Sequence, residues 1–287
     1  MKLKNRDTLT GIGYASPFFF GFIVFFIAPF IVSVVYTFTF GTGGTHFVGF
    51  DNYISVMSSN AFKLAAFNTM RFIAICVPLI MAISLVLALL LKGSFGGSSF
   101  FRSAFIFPLV VPIASTVMVF QIIFAETGIL NTIYTKIGFP VHNWLQSDYA
   151  FGVLVFLYIW KNCGYNIVLL LAGLNAIPHD FYEAAQLEGA NRWQCLRYIT
   201  VPIMAPTFFF VFVVSIINSF KSFREAFLLS SNRPHKSIYM LQHFMNNNFT
   251  NFNYQRLSVA AFLVFIVIFI LVLILFSLRK KAGDVQL

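Results

Sequence analysis

The sequence predicts an all-α, polytopic membrane protein with six transmembrane helices, and three observations carry that prediction. Of 287 residues, 59% are hydrophobic and only 10% charged, with a mean hydropathy of +0.84, outside the range of soluble globular domains. Uncharged windows recur at the length needed to cross a hydrocarbon core about 30 Å thick, roughly 20 residues at 1.5 Å each. The formal net charge of +10 comes from basic residues that flank those windows, as membrane proteins place them.

The windows fall at 13–40, 72–91, 103–125, 149–173, 198–220 and 257–278. Helices are expected because every backbone amide must be bonded within lipid, and the runs lack the alternation of barrel strands. The basic start "MKLKNR" resembles a signal peptide, but the uncharged run after it exceeds an h-region of about 7 to 15 residues, so it reads as a retained first span. Residues 1–12 and 279–287 are left as polar tails around a single six-helix membrane body, 13–278.

An even number of spans puts both ends on one side. Lys2, Lys4 and Arg6 at the start and Arg279, Lys280 and Lys281 at the finish place both termini in the cytoplasm. The loop with Lys92 and Arg102 and the polar segment with Arg192 and Arg197 then lie inside as well. Lys63, Lys136, Arg233, Lys236 and Arg256 fall outside, so the orientation rests mainly on the termini. The basic balance does not point to nucleic acid, because no long basic run is interleaved with aromatics.

The fourth window contains Lys161. A lysine at mid-depth costs about 2.5 to 3.5 kcal/mol, while each Leu, Ile, Val or Phe returns about 0.3 to 0.6, so neighbours from Val153 to Leu171 offset it. Its ammonium must face something polar. Tyr158, Lys161, Asn162, Tyr165 and Asn166 share one helical face by their three- and four-residue spacing, and Asn218, Lys221, Ser222 and Glu225 do the same near the fifth span, with Arg224 beside them. Polar groups at membrane depth are candidate solute-pathway residues. The same stripes also suit interhelical hydrogen bonding, and Lys221 stands one turn from Glu225, where the two can pair.

Between the fourth and fifth windows lies "DFYEAAQLEGANRWQCLRYITVP", the longest polar interruption of the chain. Pro178 ends the fourth helix, and Asp180 and Glu183 have capping-box spacing, so 178–198 reads as a surface helix. Leu187, Ala190 and Trp193 recur at three-residue spacing along one side, with Gly189 bending the pattern. Pro202 and Pro206 mark the start of the fifth span. On these features alone, Glu183 could serve only as a cap and Trp193 only as an interfacial anchor.

The whole pattern resembles the cytoplasmic signature of binding-protein-dependent ABC transporter permeases: Glu-Ala-Ala, three residues, Gly, nine residues, Ile, then Leu-Pro two residues on. Here those positions are Glu183, Ala184, Ala185, Gly189, Ile199 and Pro202, with Val201 in place of the usual Leu. "FRSAFIFPLVVPIASTVMVFQIIFAETGILN", "YIWKNCGYNIVLLLAGLNAIP" and "INSFKSFREAFLLS" are similar to the third span, fourth span and fifth-span exit of the carbohydrate-type branch (the maltose, multiple-sugar and glycerol-phosphate permeases). "SSNRPHKS", 230–237, departs from the Gly-Gly-Pro turn many relatives carry.

The resemblance implies a cytoplasmic coupling helix that docks in a groove of a separate ATP-binding subunit, with Glu183, Ala184, Ala185, Glu188, Gly189, Ala190, Trp193, Ile199 and Pro202 as coupling residues. It also implies a second related permease, two ATP-binding subunits holding ATP and Mg, an extracytoplasmic solute-binding protein, and a sugar or oligosaccharide as solute. Tyr158, Tyr165 and Phe220 beside amides and hydroxyls suit such a solute. The setting would be the cytoplasmic (inner) membrane of a bacterium or archaeon, among its lipids.

No residue is assigned to catalysis or to a metal. The chain has no phosphate-binding loop, no His-Glu-x-x-His helix and no Gly-x-Ser-x-Gly elbow. Cys76, Cys163 and Cys195 are too few and scattered for a disulfide framework. Two alternatives remain open: an importer of another polar solute, such as a polyol phosphate or modified sugar, served by Lys161, Lys221 and Arg224; and an ATP-independent carrier, against which stands the absence of a clear internal repeat with broken helices.

Overall fold

The computed structural model describes residues 2–41, 43–93, 97–230 and 234–283. Six helical stretches are long and apolar enough to cross a membrane: Thr10–Phe38, Asn60–Lys92, Ile113–Lys136, Ala150–Asn175, Ala205–Ser230 and Tyr254–Ser277. The all-helical expectation is met, with strand confined among the described residues to a two-residue pair, Thr39–Phe40 against His46–Phe47. The chain divides into two compact units, residues 1–63 with 244–269, and residues 64–243 with 270–287.

In the smaller unit the first helix runs from Lys2, so the expected N-terminal tail is largely helical. It passes through a π-helical turn, Ile23–Ile27, where the amide of Ala28 reaches back to the carbonyl of Ile23. Pro29 follows immediately; it has no amide to donate and its ring crowds the preceding turn, which the wider π turn accommodates. Phe30 meets Phe265 edge to face at 5.2 Å. Asn52 caps the helix exit by donating to the carbonyls of Thr37 and Thr39, at 3.2 and 2.9 Å, and the Tyr53 hydroxyl donates to Thr37 Oγ1 at 2.9 Å.

The larger unit is organised around the fourth-span helix, Ala150–Asn175. Of its most apolar window 61% is buried, against 33% for the second span and 22% for the third, so the fourth span is the hub of this unit. Phe72, Cys76 and Ile80 of the second span share one buried core with Leu154, Leu157 and Tyr158. Phe72 lies edge to face with Tyr158 at 5.2 Å. Gly164 permits a close approach of two backbones: a Cβ there would sit 1.9 Å from the carbonyl oxygen of Phe105.

The third span departs from the expected continuous run over 103–125. Helix Ser98–Val110 stops, Val111 is extended at φ −67° and ψ 131°, and a second helix, Ile113–Phe124, starts after Pro112. A residue before proline is forced out of the α region, so "LVVP" is a break that uniform hydrophobicity concealed. The fifth span likewise passes a turn at Lys221–Ser222 and continues as Phe223–Ser230. The last helix runs to Gly283, past the predicted boundary at 278. Of the "SSNRPHKS" loop, residues 231–233 lie outside the described residues.

Candidate functional site

The polar stripes of the fourth and fifth spans meet. Tyr158, Lys161, Asn162 and Tyr165 face Asn218, Lys221, Arg224 and Glu225 across a cavity of about 460 Å³, closed on its apolar side by Leu109 and Val214. The turn at Lys221–Ser222 re-aims the chain so that Arg224 and Glu225 join Asn218 and Lys221 around the same space.

Lys161 Nζ lies 3.5 Å from Glu225 Oε1, with both side chains largely buried. This corrects the local pairing of Lys221 with Glu225: the partner of Glu225 comes from the fourth span, and Lys221 and Arg224 are exposed at the cavity rim. It also answers how a lysine is carried at this depth, since a buried ammonium requires a nearby counter-charge. Glu225 Oε2 is buried with no hydrogen-bond partner among the described residues.

Not every member of the two stripes reaches the cavity. Asn166 is buried and donates to Ser215 Oγ at 2.9 Å, and Ser222 is buried with its hydroxyl donating to Ser219 O at 2.8 Å. Both serve helix packing. Tyr158 contributes a ring wall, its hydroxyl donating to Ser215 O at 3.3 Å, and Asn162 Nδ2 donates to the carbonyl of Tyr158 at 2.9 Å.

The polar segment forms a second site. Helix Asp180–Leu187 ends where Gly189 adopts φ +85°. The amide of Gly189 bonds Gln186 O at 3.0 Å and that of Ala190 bonds Ala185 O at 2.9 Å, the paired closure of a Schellman C-cap, which a glycine enters without a Cβ penalty. The chain restarts at Asn191, whose side chain accepts from the Gln194 amide at 2.9 Å while Gln194 Oε1 accepts from the Asn191 amide at 2.7 Å.

The capping box is therefore Asn191–Gln194. The expected one at Asp180–Glu183 is absent, because His179 is already helical and Glu183 Oε1 bonds His179 Nδ1 at 2.9 Å instead. The stripe Leu187–Ala190–Trp193 is not one helical side either, since the turn at Gly189 divides it. What results is an exposed surface: Glu183, Ala184, Glu188 and Gly189 face outward, and Leu187 and Trp193 are 90% and 66% exposed. Ala185, Ala190 and Ile199 are half-buried, and Pro202 is exposed at the start of the next helix.

Sequence spacing did not single out what anchors this segment. The Tyr182 hydroxyl bonds Thr200 Oγ1 at 2.9 Å, and Lys92, the last residue of the second-span helix, donates to that hydroxyl at 3.3 Å and lies 4.4 Å from the ring centroid. A second π turn, Leu196–Thr200, again precedes a proline, Pro202. Local patterns cannot reveal the Lys92–Tyr182 contact, because its members are 90 positions apart.

Residues 80–281 match the family described as binding-protein-dependent transport system inner membrane component. The chain belongs to that family. Among curated relatives, the arabinooligosaccharides transport system permease protein AraP of Bacillus subtilis is 31% identical over 76% of this chain and 71% of its own length. The probable starch degradation products transport system permease protein AmyD of Thermoanaerobacterium thermosulfurigenes is 28% identical over 98% of both chains. The trehalose/maltose transport system permease protein MalF of Thermococcus litoralis is 30% identical over 81% of each. A chain of a bacterial ABC transporter involved in the import of the acidic polysaccharide alginate superposes with a TM-score of 0.87, covering 98% of this chain and 99% of that one at 20% identity, which shows the same fold. The family is one of transporter permease subunits, not of catalytic chains, and the Glu-Ala-Ala segment from Glu183 to Pro202 and both polar stripes fall inside the matched region.

Proposed function

We propose that this chain is one of two permeases in an ABC importer that moves a sugar or oligosaccharide inward by alternating access, driven by ATP hydrolysis in separate subunits. The observation that carries the reading is the exposed segment Asp180–Trp193: a rigidly capped helix presents a carboxylate, small residues and uncovered apolar side chains, Leu187 and Trp193, on a chain otherwise made to sit in lipid. Exposed apolar groups rimmed by charge mark a protein contact. One of two ATP-binding subunits, which would hold ATP and Mg, docks there, and an extracytoplasmic solute-binding protein delivers the solute to the opposite side. Both termini are then cytoplasmic, in the inner membrane of the cell.

The cavity lined by Tyr158, Asn162, Tyr165 and Asn218 offers rings and amides, the partners a saccharide needs for its C–H faces and its hydroxyls. The names of the curated relatives above support the same solute class. One feature favours a second reading within transport: Lys161, Lys221 and Arg224 outnumber Glu225 around the cavity, a balance that suits an anionic or phosphorylated saccharide. Uptake of neutral and acidic oligosaccharides by the wild type and by Lys221→Gln/Arg224→Gln separates the two. Loss of acidic uptake alone selects the second.

The docking reading is tested by gentle solubilisation of the tagged chain from its native cell. A phosphate-loop ATPase should accompany the wild type and be lost with Glu183→Lys. Its absence from the wild type in several mild detergents would overturn the reading.

A further inference from the structure

We propose that the cavity between the end of the second span and the coupling segment holds the headgroup of an anionic phospholipid. The cavity lies where the segment meets the end of the second span, and of the coupling residues named above only Ala190 lines it. Its volume of about 690 Å³ lies within the roughly 300 to 1,000 Å³ typical of ligand sites. Its lining combines the apolar Leu89 and Leu196 with Lys92, Arg192, Tyr182 and Thr200. No aspartate or glutamate lines it.

The polarity of the lining follows the polarity of the bilayer. Leu89 belongs to the last apolar turn of helix Asn60–Lys92, and Lys92 ends that helix, where a long basic side chain extends toward the headgroup layer. Leu196 opens the π turn leading into the fifth span, and Arg192 precedes it by one helical turn. An amphiphile with its acyl chain beside the leucines and its phosphate on the two basic groups matches both kinds of lining. A neutral headgroup would leave the cations uncompensated.

Lys92 retains donors for such a phosphate. Its ammonium carries three protons, one of which goes to the Tyr182 hydroxyl at 3.3 Å. Among the described residues no carboxylate is paired with Lys92 or Arg192. Tyr182 in turn holds Thr200, so a phosphate on Lys92 bears directly on the tie between the second span and the coupling segment. The lipid acts as a clamp on the part of the chain that must move as a unit with the spans.

The experiment uses the full-length chain in a mild non-ionic detergent, offered equal amounts of phosphatidylglycerol and phosphatidylcholine and read by native mass spectrometry. Each basic residue near a membrane surface contributes about 1 kcal/mol toward an anionic lipid, so retention of phosphatidylglycerol should exceed that of phosphatidylcholine on the order of tenfold or more. Lys92→Gln/Arg192→Gln should bring the ratio to about one. Arg197→Gln, which removes an exposed cation outside the cavity, should leave it unchanged. Leu196→Trp keeps both charges but fills part of the cavity, and should lower retention severalfold; it decides the matter if the double variant does not fold. Equal retention of the two lipids, an equal effect of Arg197→Gln, or no effect of Leu196→Trp would each overturn the proposal. So would displacement of the lipid by millimolar inorganic phosphate alone, which would indicate a free-phosphate site.

Discussion

Lys161 and Glu225 form an ion pair across two spans, Nζ to Oε1 3.5 Å, at the edge of a cavity lined by Tyr165, Asn218 and Arg224. Both side chains are largely buried, so each depends on the other. Removing one charge from a buried pair costs about 3 to 5 kcal/mol, while replacing both with apolar groups is close to neutral. Glu225→Gln and Lys161→Met should each lower the detergent melting temperature sharply, and the Lys161→Met/Glu225→Met double variant should recover most of the loss. A double variant as unstable as the sum of the singles would show that the two groups act independently.

Gly164 faces the Phe105 carbonyl at a separation that excludes a side chain. Gly164→Ala should force the fourth-span helix away from Ser98–Val110, with an overpacking cost of about 1 to 3 kcal/mol or more. Gly152, on the same helix, has nothing within 4 Å of its would-be Cβ, so Gly152→Ala should fold as well as the wild type. Comparing monodisperse yield of the two variants by size-exclusion chromatography checks the expectation.

Gly189 holds a left-handed turn, φ +85°, with open space around it. Any effect of Gly189→Val is therefore one of backbone conformation, since a left-handed β-branched residue is strained by about 1 to 2 kcal/mol. The spans should remain folded while the segment reorients, so transport and ATPase capture should fall together with little change in melting temperature. Retained coupling would show that the turn is not needed for docking.

His243 lies outside the spans, buried against the rings of Phe223 at 5.0 Å and Tyr239 at 5.7 Å. Its Nδ1 accepts from the Met240 amide at 3.1 Å, and burial pushes its pKa from 6.5 down to about 4. The unfolded chain then binds a proton before the folded one does, and stability declines as pH falls from about 6.5 to about 4, by on the order of 3 kcal/mol. His243→Phe should flatten the melting temperature across that window. An unchanged slope would assign the acid sensitivity to other groups.

Much of the architecture was legible because its cause is local. Twenty apolar residues in a row specify a spanning helix whatever surrounds them, and period-3.6 spacing placed Tyr158, Lys161, Asn162 and Tyr165 on one face. Pro112 was visible too, yet its effect on Val111 was hidden by unbroken hydrophobicity. Asn166 and Ser222 share the spacing of the cavity residues but not their surroundings: a bond to Ser215 in one case and to Ser219 in the other turns each away from the cavity. Asp180 and Glu183 had the spacing of a capping box, and the helical conformation of His179 moved that device to Asn191 and Gln194.

Composition, charge at the span ends and the Glu183-to-Pro202 pattern by themselves determined a six-helix membrane permease with a polar segment between its fourth and fifth spans. Tertiary structure alone decided that Lys161 pairs with Glu225 rather than leaving Lys221 to do so, that Gly164 seats one helix on another, and that Lys92 reaches Tyr182. The physical reason is range. Burial in lipid and helix geometry act over a few residues and leave a periodic record in the chain, whereas ion pairing and close packing join groups distant in sequence, which only the folded bundle brings together.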